Sequence, residues 1–382
     1  MNNAFCITSK SLDTFLFVIL ILGFIATHSL LSYSLIFIAY FALTLRILLI
    51  KNKLFVEKSY LFLFILFLLN IIIQVLFNIS LRSIIYSLLI IIGFILYSSI
   101  ASFNLKHNSI TKFALFVLFI LLLHPSILDS SLQYKSFLLN ANSLASVYLL
   151  LFFIIELFGT KPQKLLNYFI FLPIYLISIE SRSLLLAIIL YLFFKNLNFF
   201  KLRNLSFNIV IIFLIILMLF FVYPNNLFIS KIMYSLDLSN IKIFGSDLFY
   251  GAGREELWKI VIETNPSPIY GIGFGNSNDY INNFIHKDLS PHNTFLKLYL
   301  EGGLLFLSTY ILLVFFLFRN AKTNITKSFI LAIQIRMFFE SAFPFGVSLS
   351  SALIILPYFI EKAYLLKYSI KNYEKNYISH TC

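Results

Sequence analysis

The sequence predicts an all-α integral membrane protein of about a dozen transmembrane helices, with one long polar loop on the outer side of the membrane. Three observations predict it. Of 382 residues, 60% are apolar and 12% charged, whereas soluble domains carry about 45–50% apolar and about 25% charged residues. The apolar residues are grouped in repeated blocks of spanning length, roughly 20 residues. The blocks lack the period-2 alternation of barrel strands, and in lipid only helices and closed barrels satisfy every backbone polar group.

The blocks place spans near 13–28, 30–50, 60–78, 83–102, 112–124, 143–158, 164–180, 183–195, 206–223, 294–318, 326–343 and 346–366. The first follows Lys10 with no small-residue cleavage site after it, so it reads as a span rather than a removed signal peptide. The segments near 112–124 and 183–195 are short for a full crossing. The chain reads as one polytopic domain over 1–382, with the loop 224–293 inside it.

Basic residues orient it. Lys10, the group Arg46, Lys51, Lys53 and Lys58, the pairs Lys106 and Lys112, and Lys161 and Lys164 all fall on one side. So do Lys195, Lys201, Arg203, Arg319, Lys322, Lys327, Lys362, Lys367, Lys371 and Lys375. By the positive-inside rule this side is the cytoplasm, which also receives both termini. Because the basic residues are spread between spans rather than gathered in one patch, the net charge of +13 does not indicate a nucleic-acid partner. Cys6 and Cys382 both fall in the reducing compartment, which argues against a structural disulfide.

The loop after the ninth span holds seven of the 16 acidic residues and the one tryptophan, Trp258. Polar residues that need not lie in lipid concentrate there, so chemistry is expected there. Gly251 to Trp258 reads as a turn followed by a helix, which puts Arg254 at a helix N-terminus. That position favours anions, and the guanidinium fork pairs two oxygens of a phosphate at once. The alternative is a surface arginine paired with a neighbouring acid. Gly271-Ile272-Gly273-Phe274-Gly275 follows no apolar strand and is not a dinucleotide fingerprint. It reads as a bent loop returning to the membrane or as a backbone pocket beside a ligand.

Pro291-His292-Asn293 precedes the tenth span, placing a largely neutral imidazole at the membrane surface. His292 is either structural or a proton acceptor. A metal site of His286, Asp288 and His292 matches no standard ligand spacing. Lys297 and Glu301 pair at i,i+4, and Gly302 and Gly303 allow a helix or headgroup to approach. Arg336 and Glu340 repeat the i,i+4 pairing in the eleventh span, and Glu180 and Arg182 lie at the outer end of a hairpin. Together with Arg254 these cations suit an anionic headgroup such as a lipid-linked diphosphate. Asn140 and Asn142 either hydrogen-bond a sugar or cap the following helix.

Several separated features then coincide: Asn140-Ala141-Asn142-Ser143-Leu144-Ala145, Ser181-Arg182-Ser183, Arg254 with Trp258, Gly271-Ile272-Gly273, and His292-Asn293 with Glu301-Gly302. In that order, and with one long outer loop, the chain resembles the O-antigen ligase and O-antigen polymerase superfamily of bacterial envelopes. The resemblance implies a multi-pass inner-membrane glycosyltransferase of the GT-C type that takes a glycan from an undecaprenyl diphosphate carrier on the periplasmic side. A ligase moves the glycan to the lipid A–core oligosaccharide; a polymerase joins it to another carrier-linked unit. By that resemblance Arg182, Arg254 and His292 are catalytic, and no metal or other cofactor is required. Asn140, Asn142, Trp258, Gly271, Gly273, Asn293, Glu301 and Arg336 are expected to line the substrates. The ligase pattern of a glycine separated from the His-Asn pair by nine residues is met by Gly303, but the small residue expected three later is Phe306. Ligase is the leading expectation because one outer loop dominates. The alternatives are a polymerase and a twelve-span lipid or glycan transporter, although a transporter needs charges along a central cavity.

Overall fold

The computed structural model describes residues 2–25, 38, 41–42, 44, 46, 58–78, 80–122, 141–179, 181–196, 242–243, 246–247, 254–285, 291–342 and 349–379. They are almost wholly helical. In order, the helices are α1 (Asn2–Ile25), α2 (Lys58–Phe77), α3 (Leu81–Ile100), α4 (His107–Leu122), α5 (Ala141–Phe158), α6 (Lys161–Leu166), α7 (Leu172–Ile179), α8 (Arg182–Asn196), α9 (Arg254–Thr264), α10 (Ser277–Ile285), α11 (Thr294–Asn320), α12 (Asn324–Arg336) and α13 (Leu349–Ser379). A two-residue antiparallel pair, Lys242–Ile243 with Ser246–Asp247, is an addition that hydropathy does not foresee.

Helices are found in each of the expected spans that falls at least partly among the described residues, though not always over its full length. The span near 206–223 and most of that near 30–50 lie outside them. By length and composition, three helical stretches among the described residues reach across a membrane: Tyr60–Phe77, Leu81–Ile100 and Thr294–Asn320. Shorter apolar stretches run through α4, α5 and α8. Large side chains such as Phe62, Leu76, Leu88 and Phe116 point outward from these helices, as lipid-facing residues do.

Three elements depart from the hydropathy reading. The span near 164–180 is split: α6 passes through a π-turn, Asn167–Phe171, into α7. Pro173 has no N–H to return to the carbonyl four residues back, and the widened turn just before it accommodates that loss. The span near 326–343 is helical only to Arg336, because the chain bends there and its carbonyls are taken by Thr294. Finally, α11 is two helices rather than one. Gly303 sits at φ 68, ψ −171, a conformation essentially confined to glycine.

The half before the break faces two cores, with Leu298 in the large one. Leu296 and Leu300, also before the break, join Leu257, Trp258, Val261 and Ile281 in a small separate core. Phe306, Tyr310 and Leu313, after it, belong to the large core shared by the membrane helices. The segment beginning at α9 therefore has an apolar core of its own, continuous with the first half of α11. On the side assigned to the cytoplasm, Asp13 and Arg46 form a buried pair 2.5 Å apart, and the guanidinium lies over the Phe103 ring. Lys195 similarly meets the fully buried Glu156 at 2.5 Å, with Tyr191 donating to the same carboxylate oxygen.

Candidate functional site

The start of α11 is clamped from two directions. The Trp258 indole N–H donates to the Pro291 carbonyl at 2.8 Å. Asn293 is the N-cap, its side-chain oxygen accepting from the Leu296 N–H at 3.1 Å. Thr294 donates its N–H to the Met337 carbonyl at 2.8 Å and its hydroxyl to the Glu340 carbonyl at 2.6 Å. Between these anchors stands His292, half-buried and at φ 48. Positive φ is uncommon outside glycine, although histidine tolerates it better than most residues. Such a conformation costs about 1–3 kcal/mol and persists only where the surroundings impose it, characteristically at functional sites. Here Pro291 and Asn293 impose it.

The glycine loop closes the far end of the same half-helix. Gly271, Gly273 and Gly275 all have positive φ. A Cβ on Gly271 would overlap the Glu301 carbonyl, and one on Gly303 the Ile269 carbonyl. Close backbone approach is the reason for glycine at both. The loop then satisfies the groups orphaned by the break. Ile272 and Gly273 donate to the carbonyls of Leu300 and Glu301 at 2.9 and 3.0 Å, and Leu304 donates to the Pro268 carbonyl at 2.8 Å. What approaches Gly302 and Gly303 is thus this loop, in place of the expected neighbouring helix or headgroup. The fully buried Glu301 carboxylate accepts from the Ser277 hydroxyl at 2.5 Å and the Gly275 N–H at 2.9 Å, with Lys297 at 3.9 Å.

Trp258, Pro291, His292 and Asn293 are therefore brought together, with Gly271, Gly273 and Glu301 at the other end of Thr294–Gly302. Arg254 opens α9 as expected, one turn before Trp258 and on the same helical face. Arg336 ends α12 next to Met337, which Thr294 contacts; its guanidinium is buried and lies 3.7 Å from Glu340. Arg182 opens α8, which packs along α12. The side chains of Arg182, Arg254 and Asn142 lie outside the described residues, as do Asn140, Glu180, His286 and Asp288; α5 begins at Ala141.

Some residues that build the site were not singled out from sequence. Gln74 donates to the Tyr270 carbonyl, Asn78 to the Gly271 carbonyl at 3.2 Å, and Ser83 to the Phe274 carbonyl at 3.3 Å. The available signal was the polar residues Asn70, Gln74 and Asn78, recurring every four positions in an otherwise apolar span.

Residues 167–311 match the family model described as O-antigen ligase. The match runs from the π-turn past the break in α11 into its second half and includes the clamp around His292, so this part of the chain is similar to that family. No curated protein and no solved structure matches the chain.

Proposed function

We propose that this multi-pass membrane protein is a ligase-type glycosyltransferase of the bacterial inner membrane. It takes a glycan from undecaprenyl diphosphate and transfers it to lipid A–core oligosaccharide on the periplasmic side. The observation that carries this reading is the imposed positive φ of His292, clamped by Trp258 and Asn293 within the region matched to the O-antigen ligase family.

The roles follow from charge. As the bond from the anomeric carbon to the diphosphate breaks, negative charge grows on the leaving group. Arg254 at the start of α9 and Arg182 at the start of α8 stabilise it, each at the positive end of a helix dipole that adds to the field. His292 takes the proton from the attacking acceptor hydroxyl, a contribution of about 10²–10⁴-fold. In this reading Asn140 and Asn142 hydrogen-bond sugar hydroxyls, Asn293 holds the start of α11 beside them, and Arg336 supplies further positive charge at the end of α12. Trp258, Gly271, Gly273 and Glu301 shape the pocket from behind through the contacts described above. The bond to the carrier diphosphate supplies the driving force, so the reading needs neither nucleotide nor metal.

A deletion strain tests it. It is expected to accumulate full-length carrier-linked glycan, with nothing attached to lipid A–core. Lipid A–core bearing a single repeat unit would replace the ligase reading with that of a polymerase.

A further inference from the structure

The polar stripe of α2 takes no part in the chemistry just proposed, yet it joins the glycine loop to the membrane body. Asn70, Gln74 and Asn78 lie one above another down one helical face. Asn70 donates to the Thr309 hydroxyl at 2.9 Å, beyond the break in α11. Gln74, almost fully buried, donates to the Tyr270 carbonyl, and its own carbonyl accepts from Asn78 at 3.2 Å. Asn78 also reaches the Gly271 carbonyl. Alongside, the Tyr270 ring stacks on Phe77 with centroids 4.9 Å apart, and Arg82 pairs with Asp279.

These bonds have a mechanical consequence. In an unbroken helix the i→i−4 ladder fixes one half relative to the other. At Gly303 the ladder is interrupted, and the two halves are joined instead through the loop, which bonds both. The loop is in turn held by Gln74 and Asn78. The His292 end of Thr294–Gly302 is tied to Met337 and Glu340, and its Gly302 end is tied through the loop to α2, so the tilt of the segment that carries His292 depends on α2. Resting on the proposed function, we infer that Gln74 and Asn78 are positioning residues: they set His292 at its working height against the membrane body, where the donor diphosphate lies. They act through the loop and touch no substrate.

The test uses the full-length protein in liposomes, with Cys6 and Cys382 replaced by Ser. Gln74→Met keeps the length of the side chain and removes the donor. It is expected to lower turnover by about 10²-fold, the size of effect that a displacement of roughly 1 Å produces, with donor KM within about twofold and an unchanged thermal midpoint. Adding Phe77→Cys and Tyr270→Cys, at positions whose native rings stack 4.9 Å apart, and bridging the two thiols with a short reductant-cleavable bis-maleimide holds the loop in place of the lost bond. Cross-linking is expected to restore turnover and reductant to remove it again. Wild-type turnover in Gln74→Met would overturn the inference, as would a loss that tracks loss of folded protein or a lock that fails to rescue. If the unaltered protein transfers no glycan, the proposed function falls and takes this inference with it. A normal Gln74→Met in an active background sinks the inference alone.

Discussion

At the scale of single residues, His292 and the two arginines are asked for different things. A proton acceptor must lie within reach of the hydroxyl it deprotonates and be neutral when it does so. A diphosphate clamp must be charged and forked, so lysine does not substitute for arginine. His292→Ala is expected to lower glycan transfer by about 10²–10⁴-fold with protein accumulation unchanged. Arg182→Lys and Arg254→Ala should each be strongly impaired. Near-normal transfer by His292→Ala would remove it from the base role, and activity abolished by chelator and restored by a divalent ion would favour a metal centre. Trp258 is expected to behave differently from a residue that grips substrate. Trp258→Phe keeps the ring but loses the N–H that holds Pro291, so turnover should fall while donor KM stays close to that of the wild type.

At the scale of elements, the decisive feature is the broken helix α11. Its first half faces both the small core and the large one, its second half only the large one, and glycine alone suits the junction. Gly303→Ala introduces a Cβ against the Ile269 carbonyl and forces a conformation that other residues avoid. It is expected to cost about 1–3 kcal/mol and to lower the thermal midpoint in detergent by several degrees. An unshifted midpoint would mean that the break is dispensable. Hydropathy located α11 but read it as one span, because the break comes from the loop bonded across it, and that loop precedes it by about 30 residues. The helix beginning at Arg254 was legible from local signals, the preceding glycines and the following acids. Gln74 and Asn78 were not. Their partners lie 196 and 193 residues away, and nothing near them in sequence says what a polar side chain in an apolar span is for.

At the scale of the whole molecule, the spacing of apolar blocks gave the helical order, and the basic residues give the expected orientation. The residues proposed for the chemistry were legible as types: a histidine before a span, an arginine at a helix start, glycines in a loop. The clamp that unites Trp258, Pro291 and Asn293 around His292 was not, since it depends on α9 folding back onto the start of α11. Orientation is checked by single cysteines in 46–59 and 224–293, probed with a membrane-impermeant thiol reagent on intact spheroplasts. Labelling is expected only in 224–293; the reverse pattern would invert the topology and remove the proposed site from the periplasm.

The central claim is that this chain transfers a carrier-linked glycan using a site built around His292. It is tested most directly by reconstituting the purified protein in liposomes with undecaprenyl diphosphate-linked glycan and lipid A–core, and measuring glycan attached to lipid A–core. Transfer is expected from the wild-type protein and from a conservative surface variant, with almost none from His292→Ala. No transfer by the wild type, or equal transfer by His292→Ala, would contradict the account.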